Sequence, residues 1–325
     1  METNVHYPTD VNLLYDSGRK CLDMLGKLAD RYPGKVQGWR KRTYWARQLR
    51  NKERSLTQVL GKGGKNRAER VQSATEAYLA VAQGLWDKIQ ASLPRLLSAE
   101  LDLAHLAWIT LLKHYHQLLA KHIDLVERRL LQGEKIPHQD KLFSIFEPHT
   151  EWINKGKKHK KVELGHNVLI ATDQYHFILR HEVMLKQHDT EMAVPLARNI
   201  CEDYQADKLG SISFDRGFYS GPNYTNLQPY AHQVILPKKG KKNQDEATRE
   251  ADPTFVKLRH KHSAVEANIN QLEHHGLNRC PDKGLDGFKR YTALGVLAYN
   301  LHRLGKILIQ QQQAKEKRKA RKKAA

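Results

Sequence analysis

Two acidic residues stand where chemistry can use them. Asp215 closes the short run "SISFD", in which Ile212 and Phe214 alternate with small polar residues, and Gly217, Gly221 and Pro222 follow as turn residues. A carboxylate at a strand end of an open α/β sheet lies where such sheets gather ligands, although an aspartate there also serves as an ordinary turn cap. Glu266 lies in "LRHKHSAVEANINQLEHHG", where Val265, Ile269 and Leu272 recur at helical spacing as an expected buried stripe and Gly276 is the expected stop. Arg259, His262 and Asn270 fall within one or two turns of it. A lone helical glutamate usually faces solvent beside a basic neighbour. A strand-end Asp, a basic polar segment and a helical Glu in one chain suit phosphoryl chemistry on Mg²⁺ or Mn²⁺ instead, because hard ions take carboxylate oxygens. Two such ions roughly 3.5–4 Å apart activate a water or a 3′-hydroxyl and stabilise the leaving oxygen at a phosphodiester. Lys238 and Lys239, with Lys241 and Lys242 beside them, and Arg259 are the expected backbone contacts, joined by Lys155 and Lys157 of "WINKGKKHKK".

The whole chain agrees with a polyanionic partner. Its 325 residues carry a net charge of +20, far more than solubility needs. Membrane lipid is the competing polyanion, but no run of about eighteen apolar residues occurs and the N-terminus does not read as a signal peptide. Nucleic acid is the expected partner, with no membrane involved. Cys21, Cys201 and Cys280 are far apart and odd in number, which excludes a disulfide framework and a CxxC zinc site and fits a reducing cytoplasm. The pairs His159/His166 and His181/His188 lack the tight ligand spacing of structural zinc.

The elements that must position the two carboxylates change grammar part-way along the chain. From about residue 11 to Gly133 the pattern is helical and mostly polar. Leu14, Cys21, Met24, Leu25 and Leu28 form one stripe, "RVQSATEAYLAVAQGLWDKI" repeats the habit, and a long periodic stretch ends at Gly133 as a candidate cap. After Pro137, "VELGHNVLIAT" alternates as a strand with Val162, Leu164, Val168 and Ile170 on one side, "DQYH" turns, and "FILRHEVML" returns as a hairpin. Asp189 and Thr190 read as the cap of a following helix. The strand ending at Asp215, a short helix near 224–231 and the strand "HQVILP" complete an α/β pattern. The segment "KKGKKNQDEATREADP" reads as a loop. Asp10 and Asp173 are the other acidic candidates, explained respectively by a helix cap and a hairpin turn.

Three blocks in order, "FSIFEPHTEWINKGKKHKKVELGHNVLIATDQ", "ISFDRGFYSGPN" and "LRHKHSAVEANINQLEHHGLNRCPDKGLDGFKRYTALGVLAYNLHRLG", resemble bacterial insertion-sequence DDE transposases of the ISNCY-like type. The resemblance runs from the first residues to about Gly305. It implies an α/β, RNase H-like mixed sheet with flanking helices and a large all-helical insertion toward the N-terminus. The segments are then 1–10, following the first catalytic strand; 11–135, the helical insertion; 136–310, the catalytic core; and 311–325, a basic tail. It also implies double-stranded DNA as the partner, at transposon ends and target, with metal-dependent cleavage and transfer of its strands, two Mg²⁺ or Mn²⁺ ions in the intact enzyme and a nucleoid-associated cytoplasmic location. Residue by residue, the second and third acidic positions of the family's triad fall on Asp215 and Glu266. No accessory role is carried over to His262, which lies one turn before Glu266. The opening "METNVHYPTDVNLLYDSGRK" resembles the segment just after the family's first aspartate, so the expectation is an N-terminally truncated, catalytically incomplete chain. In that reading Glu2–His6 form a stub between "VELGHNVLIAT" and "SISFD". The alternatives are a non-catalytic DNA-binding remnant competing for transposon ends, or an RNase H-like nuclease. A homodimer is left open.

Overall fold

The structure is a computed structural model that describes residues 1–5, 8–32, 36–97, 102–154 and 162–324. Lys155, Lys157 and His159 lie outside the described residues. The chain divides into two compact units, Val5–Pro148 and Met1–Asn4 with His149–Ala325.

The first unit is helical: α1 (Asp10–Arg31), α2 (Arg42–Gly61), α3 (Arg67–Leu97) and α4 (Leu103–Leu130). Helix α1 packs on α2 and α4, and α3 also packs on α2 and α4, as in a four-helix bundle. The expected stripe of Leu14, Cys21, Met24, Leu25 and Leu28 is fully or almost fully buried, because a 3.6-residue period keeps it on one face. At Gly18 a Cβ would lie 2.5 Å from Leu49 Cδ2, so glycine allows α1 to approach α2 closely. Thr9, not Asp10, caps α1 by accepting from Asn12 N (3.1 Å). Asp10 is the first helical residue and pairs with Arg129 at 2.6 Å. Gly133 has φ +69° just past the end of α4, as its candidate cap requires.

The second unit is mixed α/β. It contains β1 (Glu2–Thr3), β2 (Glu151–Asn154), β3 (Val162–Gly165), β4 (Val168–Thr172), β5 (Ile178–Val183), α5 (Asp189–Asp203), β6 (Leu209–Ser213), α6 (Gly221–Leu227) and β7 (Ala231–Ile235). There follow α7 (Gln244–Ala251), α8 (Pro253–Lys261), α9 (Ser263–Leu272), β8 (Arg279–Cys280) and α10 (Gly284–Ala324). The strands form three sheets: β2-β3-β1-β8, the antiparallel hairpin β4-β5 and the parallel pair β6-β7.

"VELGHNVLIAT" is two strands in different sheets, where strict alternation predicts one. The break falls at His166, whose side chain is fully buried, with Nε2 2.8 Å from His149 Nδ1 and its ring edge-on to Phe288. Glu2–Thr3 do form a stub, antiparallel to β3, but its other neighbour is β8 rather than β6. Gly165 makes room for it, since a Cβ there would lie 2.2 Å from Met1 O.

Alternation along β4 still organises the layers. Leu169 joins the core of α5, α6 and β7 residues, which includes Met192, Leu196, Leu227 and Val234. Ile170 points the other way, into the cluster of Ile178, Leu272, Val296 and Tyr299. The hairpin is thus covered by helices on both faces. Among the described residues, no helix is long and apolar enough to cross a membrane.

The segment read as a loop after β7 contains α7. Asn243 Oδ1 accepts from Glu246 N (2.8 Å) while the Glu246 carboxylate accepts from Asn243 N (2.9 Å), a reciprocal cap. Helix α5 begins at Asp189 with His188 before it, and Glu191 accepts from His188 N at 2.9 Å, so neither Asp189 nor Thr190 is the cap.

Candidate active site

Strand β6 delivers Asp215. The ladder with β7 ends where Phe214 N donates to Ile235 O at 2.9 Å, and Phe214 turns into the core beside Phe218. Burial of Phe214 leaves the next side chain outside, and Asp215 is exposed. Its Oδ1 accepts from Arg216 N at 2.6 Å and starts the single turn Arg216–Phe218. Asp215 therefore caps a turn and also stands beyond the carboxyl end of a parallel pair.

Glu266 lies exposed in the first turn of α9. The stripe expected beneath it is only partly buried: Leu272 is buried and Val265 half-buried, but Ile269 is exposed and Asn268 is buried instead. Asn268 Oδ1 accepts from Tyr299 OH at 2.8 Å, so the inner face of α9 is held partly by polar contact. Gly276, at φ +103°, ends the helical path as expected.

His262, at the junction of α8 and α9, has a half-buried ring within electrostatic reach of both Asp215 and Glu266. Burial pulls the imidazole pKa down, and the Asp215 and Glu266 charges pull it partly back up. The tertiary fold thus places one imidazole in the field of both acids.

Asp189, the first residue of α5, is a further acidic neighbour that sequence reasoning spent on a helix cap. Burial, and then the nearby Asp215 charge, raises its carboxyl pKa above the ordinary value. A Cβ at Gly217 would lie 2.8 Å from Asp189 Oδ2, so a glycine lets this turn approach the acid. No local pattern around Asp189 signals that neighbour, because the contact joins a helix start to a distant strand end.

The basic candidates separate by environment. Lys238 Nζ sits 2.8 and 2.9 Å from the two Glu246 oxygens, and Tyr219 OH donates to the same carboxylate at 2.6 Å. Its ammonium is engaged within the protein. Lys242 is likewise paired with Glu250, at 2.5 Å. Lys239 is exposed, and Arg259 is half-buried in the last turn of α8. Asp173 is a turn residue, its Oδ1 accepting from Tyr175 N (2.8 Å) and Phe177 N (2.9 Å). All three cysteines are buried and unpaired by disulfides.

The family described as transposase DDE domain matches residues 131–301, more than half of the chain and the whole span of these acids. The protein belongs to the insertion-sequence DDE transposases. No curated protein and no solved structure matches it. Transposases of this family act on DNA and generally use divalent metal ions. Among the described residues no group of three or more His, Cys, Asp or Glu side chains is disposed to hold a metal. Asp215 and Glu266 are exposed carboxylates of the type magnesium takes, since that ion is commonly held by one or two carboxylates with water and phosphate oxygens.

Proposed function

We propose that this DDE transposase cleaves and transfers DNA strands at transposon ends through Asp215 and Glu266. The observation that carries the reading is the family match over residues 131–301, within which Asp215 follows the end of β6 and Glu266 opens α9. A parallel strand pair beside an antiparallel hairpin, with helices on both faces of the hairpin, supports an RNase H-like core. In the reading, Asp215 and Glu266 would hold a divalent ion, and the chemistry such an ion would supply is activation of an oxygen nucleophile and charge neutralisation at the phosphodiester. A two-ion site needs ligands beyond these. His262, between α8 and α9, is the half-buried group within electrostatic reach of both acids. Among the described candidates, Lys239 and Arg259 are the cations assigned to the DNA backbone, with Lys238 spent on Glu246.

The test measures Mg²⁺- or Mn²⁺-dependent nicking and joining of a labelled duplex carrying the element's terminal sequence, with binding followed separately by gel shift. Asp215→Asn and Glu266→Gln should each lower cleavage by at least about 100-fold while leaving the shift nearly unchanged, since each removes a metal charge rather than a phosphate contact. Cleavage retained by either variant removes that residue from the site. Cutting without joining indicates a nuclease, and binding without any cutting indicates a DNA-binding remnant.

A further inference from the structure

Asn223, in the first turn of α6, is a buried amide, 8 % exposed, that joins two other elements. Its backbone N–H donates to Ser220 Oγ at 3.1 Å, which holds the residue at the helix start. Its side-chain Nδ2 lies 2.9 Å from Phe218 O and 2.7 Å from Thr190 O. Carbonyl oxygens only accept, so both contacts identify this atom as the amide nitrogen, donating twice. Phe218 is the last residue of the turn that Asp215 caps, and Thr190 lies in the first turn of α5. The turn itself is exposed at Asp215, Arg216 and Gly217. Its internal bonds, Phe218 N to Asp215 O and Tyr219 N to Arg216 O, measure 3.1 and 3.3 Å. Its attachments to the body of the unit are the Phe218 ring, packed on Phe214, and the Asn223 amide. The close approach of Gly217 to Asp189 Oδ2 shows the same seating of the turn on α5.

We propose that Asn223 is a positioning residue for Asp215, clamping the exposed turn to the start of α5 and so fixing where the carboxylate stands. The proposal rests on the reading of Asp215 as a metal ligand. A primary amide suits the task, because one uncharged nitrogen can donate to two carbonyls at once. Alanine would leave both carbonyls without that donor, and aspartate, of the same shape, would set acceptor oxygens against acceptor oxygens. Magnesium demands near-ideal octahedral geometry, so a site with few protein ligands responds to a small displacement of any one of them. Groups that orient a ligand without touching the ion are typically worth about 10–100-fold in metal affinity.

The experiment measures Mn²⁺ binding to the full chain without DNA, from the electron paramagnetic resonance signal of the free ion, so it needs no strand cleavage. Asp215→Asn marks the component of binding that belongs to the site. Asn223→Ala and Asn223→Asp should each weaken that component by about tenfold or more with Asp215 intact. Hydrogen exchange at the Phe218 amide, which closes the turn on Asp215 O, should quicken in both variants. Ile200→Ala, which truncates a buried residue toward the far end of α5, should lower the melting temperature and leave Mn²⁺ affinity unchanged. Asn223 variants that bind Mn²⁺ as the parent does, while Asp215→Asn does not, overturn the positioning role and leave Asp215 in place. An equal loss in Ile200→Ala also overturns it, since general destabilisation would then account for the effect. Unchanged binding in Asp215→Asn removes Asp215 from the metal site and the proposal with it.

Discussion

Replacement of His122 by leucine should flatten the acid side of the helical unit's stability curve. His122 is fully buried between α1 and α4, with Nδ1 2.7 Å from Leu118 O and 3.1 Å from Ser17 Oγ. Leu118 O can only accept, and Ser17 Oγ already donates to Leu13 O at 2.8 Å, so the neutral ring carries its proton on Nδ1. Nε2 has no hydrogen-bond partner, and protonating it would place a bare N–H⁺ in an apolar core. Burial accordingly pushes the pKa down to about 4, against 6.5 for an ordinary histidine. The folded chain then binds fewer protons than the unfolded chain between these values, so stability is intact above pH 6.5 and falls as the pH drops toward 4. At ~1.4 kcal/mol per pKa unit the full loss is roughly 3 kcal/mol, of which about 2 kcal/mol is reached at pH 5. Four of the five tryptophans, Trp39, Trp45, Trp86 and Trp108, lie in this unit, so denaturant titration followed by tryptophan fluorescence at pH 7.5 and pH 5 reports mainly on it. Other titrating groups, including the depressed His116, are common to both proteins and cancel in the difference. His122→Leu should lose about 2 kcal/mol less than the parent over that interval. Equal losses in the two proteins would refute the assignment of the neutral, half-satisfied ring.

DNA affinity should fall steeply with salt, by roughly 10³–10⁵ between 50 and 200 mM if six to ten phosphates are neutralised, as a gel-shift series at several ionic strengths would measure. A nearly flat series would contradict a phosphate-led interface. Gly165→Ala should displace β1, because the atoms it would meet are backbone that cannot rotate away. Loss of hydrogen-exchange protection at the His166 amide, which donates to Met1 O at 3.1 Å, is the readout, with a cost of about 1–3 kcal/mol to the sheet unit.

Some of this protein is written in local pattern. The α1 stripe from Leu14 to Leu28 is buried as its spacing requires, the hairpin pairs Val168 with Val183, and the runs ending at Asp215 and "HQVILP" are strands, because periodicity reports directly which face meets a core. Helix α7 was equally legible, since Asn243 and Glu246 have the spacing of a reciprocal cap, but a polar composition drew the segment toward a loop. What lay beyond local pattern depends on distant partners. Buried His166, paired with half-buried His149, marks the point where one apparent strand divides between two sheets, Asn268 displaces Ile269 from the inner face of α9, and Glu246 engages the Lys238 ammonium. Residue type alone made Asp215 and Glu266 candidates, and as readily a turn cap and a solvated helix residue. Only the tertiary fold put both acids within electrostatic reach of His262 and set Asp189 near Asp215, because a carboxylate's electrostatic environment is set by neighbours in space rather than along the chain.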